Sequence, residues 1–148
     1  MSKKIQALAD FLMIPAKEIK QTMYDGDIFE TADGAEYLVL TDREANKRVK
    51  DTIAEEVWAF NANFIMDETG LTDKLSQWER EQAEKSLKDM QERACEGCNA
   101  FILALINGSC KLNKFVKDAV EADGRGHFLA TYDDKENEQG NYFIYRIN

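Results

Sequence analysis

Several residue types that mark whole classes of protein are scarce in this chain. Its 148 residues include one proline, one histidine, three cysteines and eight glycines. So little proline and glycine excludes a disordered or low-complexity chain, and an odd, small cysteine count excludes a disulfide framework and indicates free thiols. No apolar run is long enough to cross a bilayer, and Asp10 interrupts the apolar stretch behind the basic N-terminus, so no signal peptide is predicted. We therefore expect a cytoplasmic protein without a membrane span.

Acidic residues outnumber basic residues, and the excess is distributed unevenly along the chain. The chain has 19 lysines and arginines against 28 acidic residues, a net charge of −9. Residues 51–100 alone carry 12 acidic and 5 basic residues. This balance argues against direct binding to duplex nucleic acid or to an anionic membrane, both of which require a basic face. It is compatible with a protein partner that has a basic surface, including a surface that normally holds nucleic acid.

Apolar residues recur at helical spacing over much of the chain and predict most of its structure. Thr41 and Glu44 match a capping box at the start of one helix, and Asn107-Gly108 is a helix stop. Residues 64–71 are expected to form a connection. The predicted helices cover residues 2–12, a short segment from Pro15 through Met23, a helix from the capping box to about residue 61, a long helix from Leu75 to Ala94, a buried helix over residues 100–106, and residues 112–124.

Two features predict a small antiparallel sheet. Asp33-Gly34 lies between two β-prone runs, which is typical of a hairpin near residues 28–40. Residues 141–147 alternate and are rich in aromatics, so they form a strand that we expect to pair with residues 36–40. The sequence thus predicts a single compact α+β domain over residues 1–148, with this sheet packed against five or six helices. It indicates no internal repeat and no particular oligomeric state.

The cysteines offer a possible metal site. Cys95 and Cys98 have the two-residue spacing that lets both sulfurs reach one zinc ion, and Cys110 and His127 would complete four ligands. No second Cys-x-x-Cys pair is present, and the spacing fits no familiar zinc motif. The favoured interpretation is two small residues at a helix junction with Cys110 in the core, so neither a metal nor another cofactor is expected.

The segment from Gly124 to Gly140 holds the residue types of a chemical site. His127 with a carboxylate from Asp133 or Glu136 has the composition of a general base or of a Mg²⁺ or Mn²⁺ site, and Arg125 is suited to hold a phosphate or carboxylate. Its later part, from Tyr132 to Gly140, also reads as a solvated loop. An enzyme using these residues is therefore the alternative, and a protein that is not an enzyme is favoured.

The acidic helix between Leu75 and Ala94 is the third candidate. Glu79, Glu81 and Glu84 are its candidate binding residues, together with Arg125 farther along the chain, because a row of carboxylates can imitate a phosphate track. Lys85 and Lys88 follow Glu81 and Glu84 by four residues, a favourable spacing for ion pairs on a helix. These pairs neutralise part of the row of carboxylates.

Four segments resemble a group of small phage and prophage proteins. They are Tyr37–Asp42 (YLVLTD), Val57–Asn61 (VWAFN), Asp123–Leu129 (DGRGHFL) and Tyr142–Asn148 (YFIYRIN). The resemblance covers most of the chain, from the first strand to the C-terminus. It implies a phage-encoded protein in the cytoplasm of an infected bacterium, and it carries over no catalytic residues. Cys98 departs from the group's pattern, which further weakens the zinc interpretation.

Together, these features predict a non-enzymatic accessory protein. It would bind a host protein of defence or nucleic-acid processing and inhibit it, in the manner of an anti-CRISPR protein or a DNA mimic. The alternative is a small metal- or nucleotide-dependent enzyme that uses Arg125, His127, Asp133 and Glu136.

Overall fold

The computed structural model describes residues 2–148 and confirms the α+β class. None of the helices in this range is long and apolar enough to span a membrane. In chain order the elements are α1 (Lys3–Leu12), β1 (Ile19–Gln21), β2 (Ile28–Thr31), β3 (Glu36–Thr41), α2 (Asp42–Glu56), α3 (Ala62–Thr69), α4 (Gln77–Ala94), α5 (Asn99–Ser109), α6 (Leu112–Asp123), α7 (Arg125–Leu129), β4 (Asn137–Gln139) and β5 (Tyr142–Arg146). Short 3₁₀ turns cover Ala16–Glu18, Val57–Ala59 and Cys95–Cys98.

The chain divides into two compact units. The sheet unit contains the described residues of Met1–Val49 together with Ala122–Asn148, and the helical unit is Lys50–Glu121. Helices α2 and α6 each run from one unit into the other. The single domain expected over residues 1–148 stays a prediction.

An antiparallel sheet with strand order β1-β2-β3-β5-β4 forms the centre of the sheet unit. The predicted hairpin is confirmed, since Ile28 pairs with Leu38 and Phe29 with Tyr37. Gly34 has a φ of 86° in its turn, a left-handed conformation that glycine adopts without strain. The C-terminal strand pairs with β3 as expected, with Val39 opposite Ile144.

The two edge strands were not predicted, and the expectation for the segment after Pro15 was wrong. This segment was expected to be a helix, but it forms one 3₁₀ turn, and Ile19–Gln21 then pairs with residues 29–31 of β2. At the other edge, β4 pairs with β5 inside what looked like a solvated loop. Three-residue strands depend on the neighbour that they pair with, so local spacing does not reveal them.

Helix α1 covers one face of the sheet. Ser2 caps it by accepting a hydrogen bond from the Lys4 backbone N–H. Its buried Leu8 and Ala9 join a core formed with side chains of the strands. The strand members of that core are Ile19, Phe29, Tyr37, Val39 and Ile144. The apolar spacing of residues 2–12 therefore correctly predicted both the helix and its buried face.

The first helices of the helical unit differ in extent from expectation. The capping box at Thr41 and Glu44 is present, with both reciprocal hydrogen bonds. However, α2 ends at Glu56, and Asn61 caps the start of α3 by accepting a hydrogen bond from the Asn63 N–H. Residues 64–71 are thus mostly helical and not a connection, because Ile65 and Met66 are buried in the unit.

The remaining helices follow the predicted order. α4 and α6 lie where the periodicity placed them, and Gly124 follows α6 with a φ of 82°. α5 runs through Asn107-Gly108 to Ser109, so the predicted stop is wrong. A Cβ on Gly108 would contact nothing within 4 Å, and its backbone remains helical there. The rings of Phe60, Phe64 and Phe115 pack together in this unit, with centroids 5.1–5.8 Å apart.

Candidate functional site

Arg125 lies at the centre of a polar cluster in the sheet unit. Its side chain is only 11% exposed. Nε and Nη2 donate to the carboxylate of Glu136 at 2.8 and 3.2 Å, while Nη1 donates to Oδ1 of Asp42 at 2.8 Å and to Oδ1 of Asn46 at 2.9 Å. The guanidinium carbon lies 4.5 Å from the centre of the Phe143 ring, a cation–π contact. Four of its five N–H groups are thus used within the protein, which leaves little of Arg125 for a ligand.

Glu136 is held from both sides. Besides Arg125, the Tyr145 hydroxyl donates to its Oε2 at 2.6 Å. Burial opposes ionisation of Glu136, but the hydrogen bonds from Arg125 and Tyr145 outweigh it and hold the pKa of this carboxyl below its ordinary value. Burial, and then the bond to Glu136, raise the pKa of Tyr145. Glu136 is therefore an ionised acceptor at neutral pH, and Arg125 and Tyr145 already occupy its carboxylate.

Two glycines bring Arg125 to this position. Gly124 provides the left-handed residue between α6 and α7. Gly126 lies against the backbone of residues 134–136, where a Cβ would fall 2.5 Å from the Asp134 carbonyl oxygen and 2.8 Å from the Glu136 nitrogen. This close approach places Arg125 and Glu136 side by side. Gly126 lies inside a short helix and serves that approach.

The alternative catalytic set does not come together. His127 is 54% exposed, its Nδ1 lies 4.0 Å from Oδ1 of Asp134, and its ring contacts Phe128 edge-on. The Asp133 carboxylate instead accepts a hydrogen bond from the Lys135 backbone N–H at 3.0 Å. Of the four predicted residues, the structure joins Arg125 with Glu136, whereas His127 and Asp133 have other partners.

The cysteines give no metal centre. Within the described range, 2–148, no group of three or more His, Cys, Asp or Glu side chains could hold a metal ion. All three cysteines are free thiols, and they belong to the helical unit, while His127 belongs to the sheet unit. Cys95 and Cys98 lie at the junction of α4 and α5, as the favoured interpretation expected.

The three candidate glutamates of α4 all have local partners. Glu79 completes a capping box with Ser76, which was not predicted. Glu81 accepts a hydrogen bond from Gln77 at 3.0 Å, and Glu84 forms the expected ion pair with Lys88 at 2.8 Å. These carboxylates stay accessible at the surface to different degrees, but they do not form a free acidic row.

An apolar groove in the helical unit was missed. It has a cavity of about 380 Å³, and α3, residues 70–76, α4 and α5 supply its walls. No lining side chain is charged; the lining includes Met66, Leu71, Leu75, Leu87, Met90 and Phe101. Leu71, Leu75 and Phe101 are all exposed, with Phe101 55% exposed. The missed signal was the apolar run of residues 100–106, which holds more apolar side chains than one buried helix face requires.

Helix α4 explains why the groove stays open. None of its 18 residues is fully buried, and Trp78 is 68% exposed. Polar contacts hold it instead: Arg80 pairs with Asp67, and Gln91 donates to the backbone carbonyls of Trp58 and Phe60 at 2.8 and 2.7 Å. One wall of the groove is thus attached mainly by hydrogen bonds and an ion pair.

Thr72 is an unusual part of the groove lining. It is buried, and its Oγ1 has no hydrogen-bond partner among the described residues. An unpaired buried hydroxyl costs free energy, and groups of this kind in native structures call for an explanation.

Comparisons of the chain with protein-family models, with curated proteins and with solved structures found no match. The resemblance to phage and prophage proteins therefore stays a prediction.

Proposed function

We propose that the chain is a non-enzymatic, phage-encoded accessory protein that binds a host protein of defence or nucleic-acid processing and inhibits it in the host cytoplasm. The observation that carries the proposal is the open apolar groove between α3, α4 and α5. Contiguous exposed apolar surface with a polar surround is typical of a protein-binding site. The sequence resemblance supports the phage origin and the choice of a host partner.

The occupant we propose is a helical segment of the partner with apolar anchors about one turn apart. An amphipathic helix in an apolar groove is a recurring mode of recognition, and its anchors follow i, i+3, i+4 and i+7 spacing. Residues 83–90 of α4 line the cavity and so offer a wall about 10 Å long at about 1.5 Å per residue. Leu75 and Phe101 would contact the anchors, since both line the cavity and are exposed.

Charge favours a partner helix with basic flanks. Residues 62–109, which supply the walls, contain nine acidic and five basic residues, and none of these lines the cavity. Apolar contacts would therefore occupy the centre of the interface and charged contacts its rim. Of the candidate glutamates, Glu79 is needed for the helix cap, and Glu81 lies, at about 100° per residue, on the side of α4 opposite the cavity-lining Ala83 and Met90. Rim charges act mainly on the association rate and on its salt dependence.

A peptide experiment tests the groove directly. The probe is a labelled synthetic helix with leucines at i, i+4 and i+7 and lysines at both ends, and its binding is followed by fluorescence anisotropy. We expect Phe101→Glu to weaken binding by about tenfold or more, because it places a charge in the apolar contact. The matched control, Met23→Glu, changes a fully exposed methionine of the sheet unit and should leave binding unchanged.

The same variants link the groove to a host partner. Tagged wild type, Phe101→Glu and Met23→Glu would be used to recover proteins from bacterial lysate at low and high salt. The proposal is supported if one protein is recovered with wild type and with Met23→Glu but not with Phe101→Glu. Its recovery should fall at high salt, because the rim of the groove is charged. The purified partner's activity must then fall when wild type is added. The proposal would be contradicted if the Phe101→Glu variant recovered the same proteins as wild type. It would also be contradicted if wild type did not bind the probe peptide.

A further inference from the structure

Two cysteines lie at the corner where α4 meets α5. Cys95 follows the last residue of α4, Cys98 precedes the first residue of α5, and the 3₁₀ turn Cys95–Cys98 joins them. In a 3₁₀ turn, residues three apart lie on one side of the axis, separated by about 6 Å along it. That separation falls within the range of Cα distances found in disulfides. Cys95 itself has φ 48° and ψ −129°, outside the 3₁₀ range, so the turn brings the two Cα atoms close together without fixing the directions of the two side chains.

The two thiols differ in access. Cys95 is exposed, whereas Cys98 is 3% exposed. The Sγ of Cys98 already reaches back to the Cys95 carbonyl oxygen, at 3.1 Å, and the Sγ of Cys95 lies 3.6 Å from the carbonyl oxygen of Glu92. An accessible thiol followed by a protected one is the arrangement that thiol–disulfide exchange uses, since the first is attacked or attacks and the second resolves.

The backbone of Cys95 supports a chemical role. Its φ of 48° and ψ of −129° form a conformation that side-chain-bearing residues rarely adopt. Glycine would take this conformation without strain. Strain of this kind is found preferentially at functional positions, where the surrounding structure maintains it. A purely structural corner would be served better by glycine at position 95.

We infer that Cys95 and Cys98 form a redox-active dithiol that reacts with small-molecule disulfides such as glutathione disulfide. The Cys95 thiolate attacks one sulfur of the small disulfide, forms a mixed disulfide, and releases one small thiol. The Cys98 thiolate, having given its proton to water, then attacks Sγ of Cys95 and releases the second small thiol. Two protein thiols are oxidised to one disulfide, and one small disulfide is reduced to two thiols. This inference does not rest on the proposed partner-binding function.

Cys110 provides an internal control. It is half-buried, and its Sγ lies 3.7 Å from the Ile106 carbonyl oxygen within its own helix end. Burial, and then the neighbouring Glu68 carboxylate, raise the pKa of the Cys110 thiol. Since thiol–disulfide exchange proceeds through the thiolate, Cys110 should react slowly.

The test equilibrates the full chain with reduced and oxidised glutathione at several ratios, traps free thiols by alkylation, and measures intact mass. We expect wild type and Cys110→Ser each to lose two alkylatable thiols together, with peptide mapping that joins Cys95 to Cys98. Cys98→Ala should stop at the mixed disulfide and carry one glutathione on Cys95. Cys95→Ser should react at least about tenfold more slowly than wild type, because only protected thiols remain.

Three outcomes would overturn the inference. Wild type that keeps three free thiols in excess glutathione disulfide would show that the pair cannot close. A disulfide that joins Cys110 to either of the others would assign the chemistry elsewhere. Cys95→Ser that reacts as fast as wild type would show that Cys95 is not the attacking thiol. The first two readings use the wild-type chain, so they do not depend on whether the Cys98→Ala variant folds.

Discussion

At the scale of single residues, Arg125 connects three parts of the sheet unit. Its guanidinium joins α7 to Glu136 before β4, to Asp42 and Asn46 on α2, and to the ring of Phe143 on β5. Arginine suits this position because its planar fork donates in several fixed directions and stacks on an aromatic ring, which lysine does not do. Arg125 and Glu136, two of the four residues that suggested a catalytic site, thus belong to a structural cluster.

Gly126→Ala tests the close approach that builds this cluster. The new Cβ would lie 2.5 Å from a backbone oxygen and 2.8 Å from a backbone nitrogen, neither of which can move independently. We expect the free energy of unfolding to fall by about 1–3 kcal/mol or more, as in other overpacked sites. The measurement is urea unfolding followed by circular dichroism.

Gly108→Ala is the matched control for that substitution. A Cβ there contacts nothing within 4 Å, and the backbone is helical, so alanine should be neutral or stabilise by up to about 1 kcal/mol. Equal effects of the two substitutions would contradict the role given to Gly126.

The pH dependence of stability gives a second test at this scale. The pKa of Glu136 is lower in the folded chain than its ordinary value of 4.5, so its ionised form stabilises the fold. That contribution is complete above the unfolded pKa and is lost as pH falls through the folded pKa. Compared with Glu136→Gln, wild type should be more stable by about 1 kcal/mol at neutral pH, a modest value because the carboxylate is partly exposed.

This advantage should stay constant down to about pH 5 and shrink below about pH 4.5. Urea midpoints for both proteins between about pH 7 and about pH 3 would measure it. Glu138→Gln, on exposed β4, is the control for loss of a carboxylate without these partners. An advantage for wild type that persists unchanged at the acid end would refute the assignment of Glu136 as an ionised acceptor.

At the scale of elements, α4 depends more on its ends and polar contacts than on burial. None of its residues is fully buried, and Ser76 and Glu79 form a reciprocal capping box at its start. Most helices in proteins gain their stability from a buried face. A helix with a partly open apolar face and a strong N-terminal cap can stay folded while it leaves a groove available to a partner.

Ser76→Ala tests this dependence. The substitution removes the acceptor for the Glu79 backbone N–H and should cost about 1 kcal/mol. Amide hydrogen exchange in the first turns of α4 should rise, and exchange in α5 should change less because Ile102 and Ile106 are buried there. Ser109→Ala, at the exposed end of α5, is the control substitution.

Glu79 and Glu81 separate the helix cap from an ordinary surface contact on this helix. Glu79→Ala removes the acceptor for the Ser76 backbone N–H, so exchange in the first turn should rise. Glu81→Ala loses only an acceptor for Gln77 at the surface and should leave exchange nearly unchanged. If both variants behave alike, the cap is not what holds the start of α4.

At the scale of the whole molecule, charge limits the partners. The chain carries a net charge of −9, and acidic residues exceed basic residues in both compact units. Many carboxylates are paired within their own unit, as in the network of Lys4 with Asp27 and Glu44. The remaining field still repels polyanions and attracts basic proteins.

Duplex DNA therefore should not bind. We expect no complex in a gel-shift or anisotropy assay at about 0.1 M ionic strength, since a net charge of −9 repels the phosphate backbone. The basic probe peptide described above provides the positive control under the same conditions. A DNA complex that dissolves as salt rises would mean that a basic face exists despite the net charge.

Sequence patterns predicted those elements whose stability is local. The spacing of Leu8 and Ala9 gave α1, Asp33-Gly34 gave the hairpin, and Thr41 with Glu44 gave the start of α2. The prediction that a helix stops at Asn107-Gly108 was wrong, because such a stop is only a local preference. Helix α5 continues through these residues to Ser109. The edge strands β1 and β4 were missed because three residues carry too little periodicity to stand out.

The candidate sites were harder to predict, because they join distant positions. Asp42 and Arg125 are 83 residues apart, and no spacing rule links them. The sequence named Arg125 and Glu136 but assigned them to a ligand, since it could not show that Asn46, Phe143 and Tyr145 would surround them. The groove was not predicted for a related reason. Periodicity identifies an apolar helix face, but it does not show whether another element covers that face.

The sequence by itself determined the class of fold, the acidic character, most helix positions and the pairing of the hairpin with the C-terminal strand. Local backbone preferences, capping and binary patterning act over a few residues, so they can be read from the chain. Only the tertiary structure decided which carboxylates are paired, that Gly126 must remain without a side chain, and that α4 leaves an apolar groove open. Those properties depend on which surfaces meet, and burial is a property of the assembled elements and not of any one segment.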